Sequence, residues 1–264
     1  MKEFMKGKEK RSLYAFLLLS FSIPLLCVLL MQYCSIFQNG FLHLLLYGIE
    51  GASPSIAAVL VYSSKKHGVR DFLREKWINN FSWRFCLLGC LIPAVVIVIG
   101  KCISVIILKQ DSVFSTISMK KIVIIMWALI AEELGWRGFL QDWLEDNCNK
   151  AVWIPIITGC IWALWHYHFI LGGTMEIPYA VFLYGCVVES FGYYVITKLA
   201  RGNIVPASIW HFSGNLVFNL CRINPEWNGG SFVPYYVVNG LYSVYVLAFV
   251  VFLHTTKDKY IVRG

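Results

Sequence analysis

The chain reads as an all-α, polytopic membrane helix bundle. Three observations predict this: 58% of its 264 residues are hydrophobic, only 14% are charged, and the mean hydropathy is +0.63. Ordinary soluble domains carry about 25% charged residues. Several runs reach the roughly 20 apolar residues needed to cross a hydrocarbon core about 30 Å thick, and backbone in lipid must satisfy its own hydrogen bonds, so these runs should be helices.

The runs predict eight spans, at 13–35, 42–63, 85–108, 121–143, 151–171, 177–197, 204–221 and 232–254. Lys and Arg favour cytoplasmic connections. With the N-terminus inside, 17 of the 23 basic residues fall on the cytoplasmic side: five before Leu13, six from Lys65 to Arg84, Lys150, Lys198, Arg201, and three after His254. Lys109, Lys120, Lys121 and Arg222 are then external, Lys101 and Arg137 lie inside spans, and both termini are cytoplasmic. Met1–Arg11 and the run after it could imitate a signal peptide, but the run is longer than a usual h-region and lacks a small-residue cleavage site, so it reads as the first span.

The net charge of +8 is mainly topological, because its carriers are scattered over short loops. They form no basic stripe for a nucleic acid and fit contact with anionic lipid. Nine cysteines at an odd count, with no C-x-x-C pair, argue against a disulfide framework or a cysteine zinc site. With no internal repeat or long linker, residues 1–264 form a single domain. Between the second and third spans, Val69, Phe72, Leu73 and Trp77 recur among Lys65, Lys66, Arg70, Arg74 and Lys76, the pattern of a short helix lying on the cytoplasmic surface.

Polar residues inside the spans point to function, since a charged side chain at the bilayer centre costs roughly 2.5–3.5 kcal/mol on insertion scales. Glu132 and Glu133 are about 100° apart on a helix and cannot do one job from one face. Glu133 and Arg137 are i and i+4, the spacing of an intrahelical ion pair, which makes them supports. Glu132 lacks such a partner and suits a general base. His166 follows Trp162 by one turn, and His168 would point about 200° away from it. His211 and Asn215 share a face, about 6 Å apart along the axis. Such a donor pair can stabilise an oxyanion, worth about 2.7–4 kcal/mol per donor. A carboxylate, imidazoles and a carboxamide from three spans make a kit for hydrolysis. No G-x-S-x-G, H-E-x-x-H or Walker sequence is present.

These residues resemble a known family. Glu132-Glu133-Leu134-Gly135-Trp136-Arg137 is similar to the E-E-x-x-x-R signature of the CAAX protease and bacteriocin-processing family, also called Abi. Trp162-x-x-x-His166 resembles its F-x-x-x-H motif with Trp for Phe, and His211-x-x-x-Asn215 its H-x-x-x-N motif. The resemblance implies an intramembrane endopeptidase of eight helices in a bacterial cell membrane, related to type II CAAX prenyl endopeptidases. By it, Glu132 and His166 activate water, His211 and Asn215 hold the oxyanion, and Glu133 with Arg137 support them. It favours a metal-independent mechanism, although Glu132, His166 and His211 are an acceptable zinc set. The partner is a membrane-associated peptide or protein: a CAAX-like tail, a bacteriocin leader or a pheromone precursor. Two other readings are a non-catalytic immunity protein and a proton- or cation-coupled carrier using Glu50, Glu132 and Glu189. The position of His211 near the inner end of its span suggests a cavity facing the cytoplasm.

Overall fold

The computed structural model describes residues 2–63, 68–110 and 112–255. Lys65, Lys66 and the three basic residues after His254 lie outside them. Among the described residues there is no strand, and the helices are α1 (Lys2–Tyr33), α2 (Gly40–Gly51), α3 (Ser53–Ser63), α4 (Gly68–Leu73), α5 (Trp83–Leu108), α6 (Met119–Ala131), α7 (Glu133–Gly135), α8 (Gln141–Asn147), α9 (Trp153–Trp165), α10 (Tyr167–Leu171), α11 (Tyr179–Leu199), α12 (Val205–Leu220) and α13 (Val233–Thr255).

α5 shows why this is a membrane bundle. Its buried positions are Gly89, Pro93, Ile97, Gly100, Lys101 and Ser104, while Leu87, Leu88, Leu91, Val95 and Ile99 are exposed. Small and polar residues inside with large apolar ones outside is the pattern of a lipid-facing helix. The glycines are contact points: a Cβ at Gly89 would run into the Pro206 backbone of α12, and one at Gly100 would meet Val238 of α13 at 2.6 Å.

Among the described residues, five helical stretches are long and apolar enough to cross a membrane, and α2 with α3 makes a sixth if the pair, bent by 65°, counts as one. The expected fourth and seventh spans are not unbroken apolar helices of that length. α6 has 13 residues and ends at the acids. α12 has 16 residues, about 24 Å at 1.5 Å per residue.

The connections of the bundle divide between two ends. At one end, Asn203 Nδ2 donates to the Asn79 carbonyl at 2.8 Å, the Ile204 N–H donates to the Lys76 carbonyl at 2.9 Å, and Lys198 pairs with Glu145 at 2.7 Å. Arg70, Arg74, Lys76, Arg84, Lys150, Lys198 and Arg201 belong to this basic end. At the opposite end, Gln32 Nε2 donates to the Leu171 carbonyl and Asn224 Nδ2 to Glu176, at 2.7 and 2.6 Å.

The segment after α3 is helical, yet it does not merely lie on a surface. Phe72 is buried and stacks on Tyr62 with ring centroids 3.8 Å apart. Lys76, in the wide turn Arg74–Ile78, is buried as well and bonds to Asp142 of α8 and to Glu75. A buried ammonium needs such partners, so this segment is braced against the helix that follows the paired acids. All nine cysteines are unpaired thiols.

Candidate active site

The paired acids sit where a helix breaks. α6 stops at Ala131, and Glu132 has φ −118°, ψ −39°, outside regular helical geometry. The chain resumes as α7 and then opens into a wide π-type turn, Trp136–Leu140, a deviation often found at functional sites. Gly135 permits the break to pack, because a Cβ there would lie 2.5 Å from the Pro54 carbonyl carbon of α3.

Glu133 is fully buried and holds two partners. Its Oε2 lies 3.2 Å from Arg137 Nε, and its Oε1 lies 2.8 Å from His211 Nδ1 on α12. A carboxylate facing Nδ1 at this distance accepts its proton, so Glu133 fixes the ring of His211 and leaves Nε2 toward the cavity. The Arg137 guanidinium also lies over the Tyr193 and Trp162 rings, at 3.9 and 4.9 Å, a cation–π arrangement that supplements one carboxylate partner.

Glu132 faces the cavity. Its Oε2 accepts the indole N–H of Trp162 at 2.8 Å and that of Trp136 at 3.3 Å. Its Oε1 stands 4.0 Å from His211 Nε2, beyond a direct hydrogen bond and suited to an intervening small group. His166 lies between α9 and α10, with Nδ1 2.8 Å from the Trp162 carbonyl. A carbonyl only accepts, so the proton is on Nδ1 and the lone pair is on Nε2. Asn215, one turn from His211, lines the same cavity.

The helix break at His166 alters one expectation. His168 does not point away: both imidazoles line the cavity, with rings 5.8 Å apart and nearly parallel. His168 Nδ1 donates to the Trp165 carbonyl at 2.8 Å, and its Nε2 is 3.4 Å from Glu50 Oε1. The three carboxylates Glu50, Glu132 and Glu189 line one cavity of about 390 Å³.

The cavity runs from Glu132 to Lys121, Ile177 and Asn224, at the end opposite the basic one. Toward the basic end Trp136, Arg137 and Leu140 are buried to within 1% and leave no opening there. If the basic end is cytoplasmic, as the charge distribution predicts, this opening lies on the side opposite to the one the position of His211 suggests. The place of His211 along its helix gives depth, but the side chains packed below it decide which end is open.

Trp162 is the residue whose part spacing did not disclose. Its ring centroid lies 5.6 Å from His166, 5.8 Å from His211 and 5.7 Å from Tyr193, and its N–H bonds Glu132. The usual Phe of this motif has no N–H, so the exchange is more than a matter of bulk. Hydrogen bonds to charged groups contribute about 1.5–3 kcal/mol. Trp162→Phe is therefore expected to lower kcat/KM for peptide hydrolysis about 10- to 100-fold with the fold retained, read from peptide turnover beside thermal unfolding.

Among the described residues, no three His, Cys, Asp or Glu side chains form a group able to hold a metal ion.

These features define an integral membrane protein of apolar helices that encloses a carboxylate–imidazole site between its two ends. Residues 115–217 match the family described as type II CAAX prenyl endopeptidase Rce1-like. That segment carries Glu132, Glu133, Arg137, Trp162, His166, His211 and Asn215, and the match supports the CAAX protease family for it. No curated protein matches the chain.

Proposed function

We propose that the protein is an eight-span intramembrane endopeptidase, with both termini cytoplasmic, that hydrolyses a peptide bond in a membrane-associated substrate. The observation that carries this reading is the 4.0 Å gap between Glu132 Oε1 and His211 Nε2, across which a water and a carbonyl carbon can meet. Glu132 takes a proton from water as its oxygen adds to the carbonyl carbon, and the bare Nε2 of His166 is the second base. A protonated Nε2 of His211, backed by Glu133, donates to the oxyanion together with the Asn215 carboxamide. Return of the proton to the nitrogen breaks the C–N bond and leaves a carboxylate and an amine.

With the basic end cytoplasmic, the cavity opens on the other side, so the scissile bond reaches it from the extracytoplasmic face. Bacteriocin leaders and pheromone precursors meet that condition more readily than a cytoplasmic CAAX tail. In a cysteine-free background, Asn224→Cys is expected to react with a membrane-impermeant maleimide in intact cells, and Lys150→Cys to remain unlabelled. The opposite labelling would overturn the facing. Mass spectrometry of peptides from membranes and medium tests the activity: a small set should disappear when wild type is replaced by Glu132→Gln at equal expression. Hydrolysis of those peptides by purified protein is expected to withstand EDTA and 1,10-phenanthroline, because the chemistry is assigned to a glutamate without zinc; inhibition reversed by added zinc would reassign it.

A further inference from the structure

We infer that Glu189, with Asn239 and Tyr242, forms a subsite for a cationic side chain of the substrate, one helical turn from the reaction centre. This rests on the peptidase reading and names a specificity element within it.

Glu189 lies on the face of α11 that also bears Gly185 and Tyr193, at i−4 and i+4, and all three line the cavity. Tyr193 is the ring beneath Arg137, with its centroid 6.0 Å from that of His211, so the stripe leads from Glu189 to the site. No Lys, Arg or His nitrogen lies within ion-pair distance of Glu189 among the described residues. Glu50 by contrast faces His168, Glu132 faces His211, and Glu133 holds Arg137. The Trp210 indole N–H bonds Glu189, and His211 and Arg137 act on it from further off, but it has no ion-pair partner of its own; such a carboxylate at this depth is costly, and an incoming cation would complete it.

The facing helix supplies the second observation. Asn239 and Tyr242 of α13 line the cavity and are 7% and 4% exposed, yet Asn239 Nδ2 and Tyr242 Oη have no hydrogen-bond partner. Buried polar groups are normally satisfied; Asn239 has only Tyr235 beside it, and Tyr242 Oη is left for a ligand group. Gly185 lets α13 bring these side chains close to α11: a Cβ there would come within 2.9 Å of Tyr235 Oη and 3.2 Å of Asn239 Oδ1.

Charge agrees with this assignment. Among the described residues, Glu50, Glu132 and Glu189 line the cavity with His166, His168 and His211, and the lysine that lines it is Lys121, near Asn224. The deep part is acidic and aromatic, which attracts and stacks a guanidinium or ammonium.

The test uses the full chain in detergent with Glu132→Gln to block cleavage, and two probes that differ only in charge: an acetyl-Leu-Arg-Leu amide and its citrulline analogue. The arginine peptide is expected to bind at least tenfold more tightly. Adding Glu189→Gln should abolish the difference, Tyr242→Phe should reduce it several-fold, and Glu50→Gln should leave it, with thermal unfolding confirming each fold. Equal binding of the two probes, binding of neither, or a preference that survives Glu189→Gln overturns the subsite. Cleavage by the Glu132-intact protein is read separately: Glu132-dependent products without charge preference remove the subsite alone, whereas charge preference without such products removes the peptidase reading alone.

Discussion

Glu132→Gln is expected to lower peptide hydrolysis by roughly 10²–10⁴-fold, the usual contribution of a general base, while the protein unfolds as wild type does. Glutamine keeps an oxygen in place to accept the Trp162 and Trp136 indole N–H groups. What it loses is the ability to take a proton. The Glu133 contacts to Arg137 and His211 are separate from this carboxylate, so the support of the site stays whole. The measurement pairs turnover of a peptide found in the membrane comparison with thermal unfolding in detergent. Hydrolysis at the wild-type rate by the folded variant would remove Glu132 from the chemistry and sink the proposed mechanism.

Much of this arrangement was legible in the sequence, for a physical reason. Ionisable groups in apolar runs are expensive, so Glu132, Glu133, Arg137, His166, His211 and Asn215 stood out against their surroundings, and the structure brings them around one cavity or directly behind it. The i, i+4 pair of Glu133 and Arg137 was readable because that stretch keeps near-helical spacing. Helical arithmetic misled where the helix stops. At His166 the break between α9 and α10 turns His168 inward, and the 200° expected for a straight helix no longer applies.

Other features were invisible because they depend on what lies opposite. Nothing in the sequence sets Glu50 against His168, or Lys76 against Asp142. The Trp162 bond to Glu132 spans 30 residues and needs the break at Glu132 to bring the carboxylate round. The open end of the cavity depends on which side chains fill the space below the acids. Apolar content predicts that a chain enters the membrane; it says little about which end stays hollow.

The second large effect belongs to the neighbouring acid and is read in stability rather than turnover. Glu133→Ala is expected to destabilise the fold by about 3–5 kcal/mol, the range for removing one partner of a buried ion pair. The side chains of Glu133 and Arg137 are 0% and 1% exposed. Arg137 would keep its charge with only the Tyr193 and Trp162 ring faces to meet it, and His211 would lose the acceptor at Nδ1. Replacing both partners by apolar residues, as in Glu133→Met with Arg137→Met, removes the stranded charge, and buried pairs so exchanged are often neutral in stability. The double variant should therefore recover most of the loss in SDS-driven unfolding from mixed micelles, yet remain poorly active because His211 is no longer oriented. A Glu133→Ala protein as stable as wild type would show that Arg137 is not held by this carboxylate. Recovery of stability without activity would assign the two adjacent acids different work: one holds the helix break and His211 in place, and the other carries the proton.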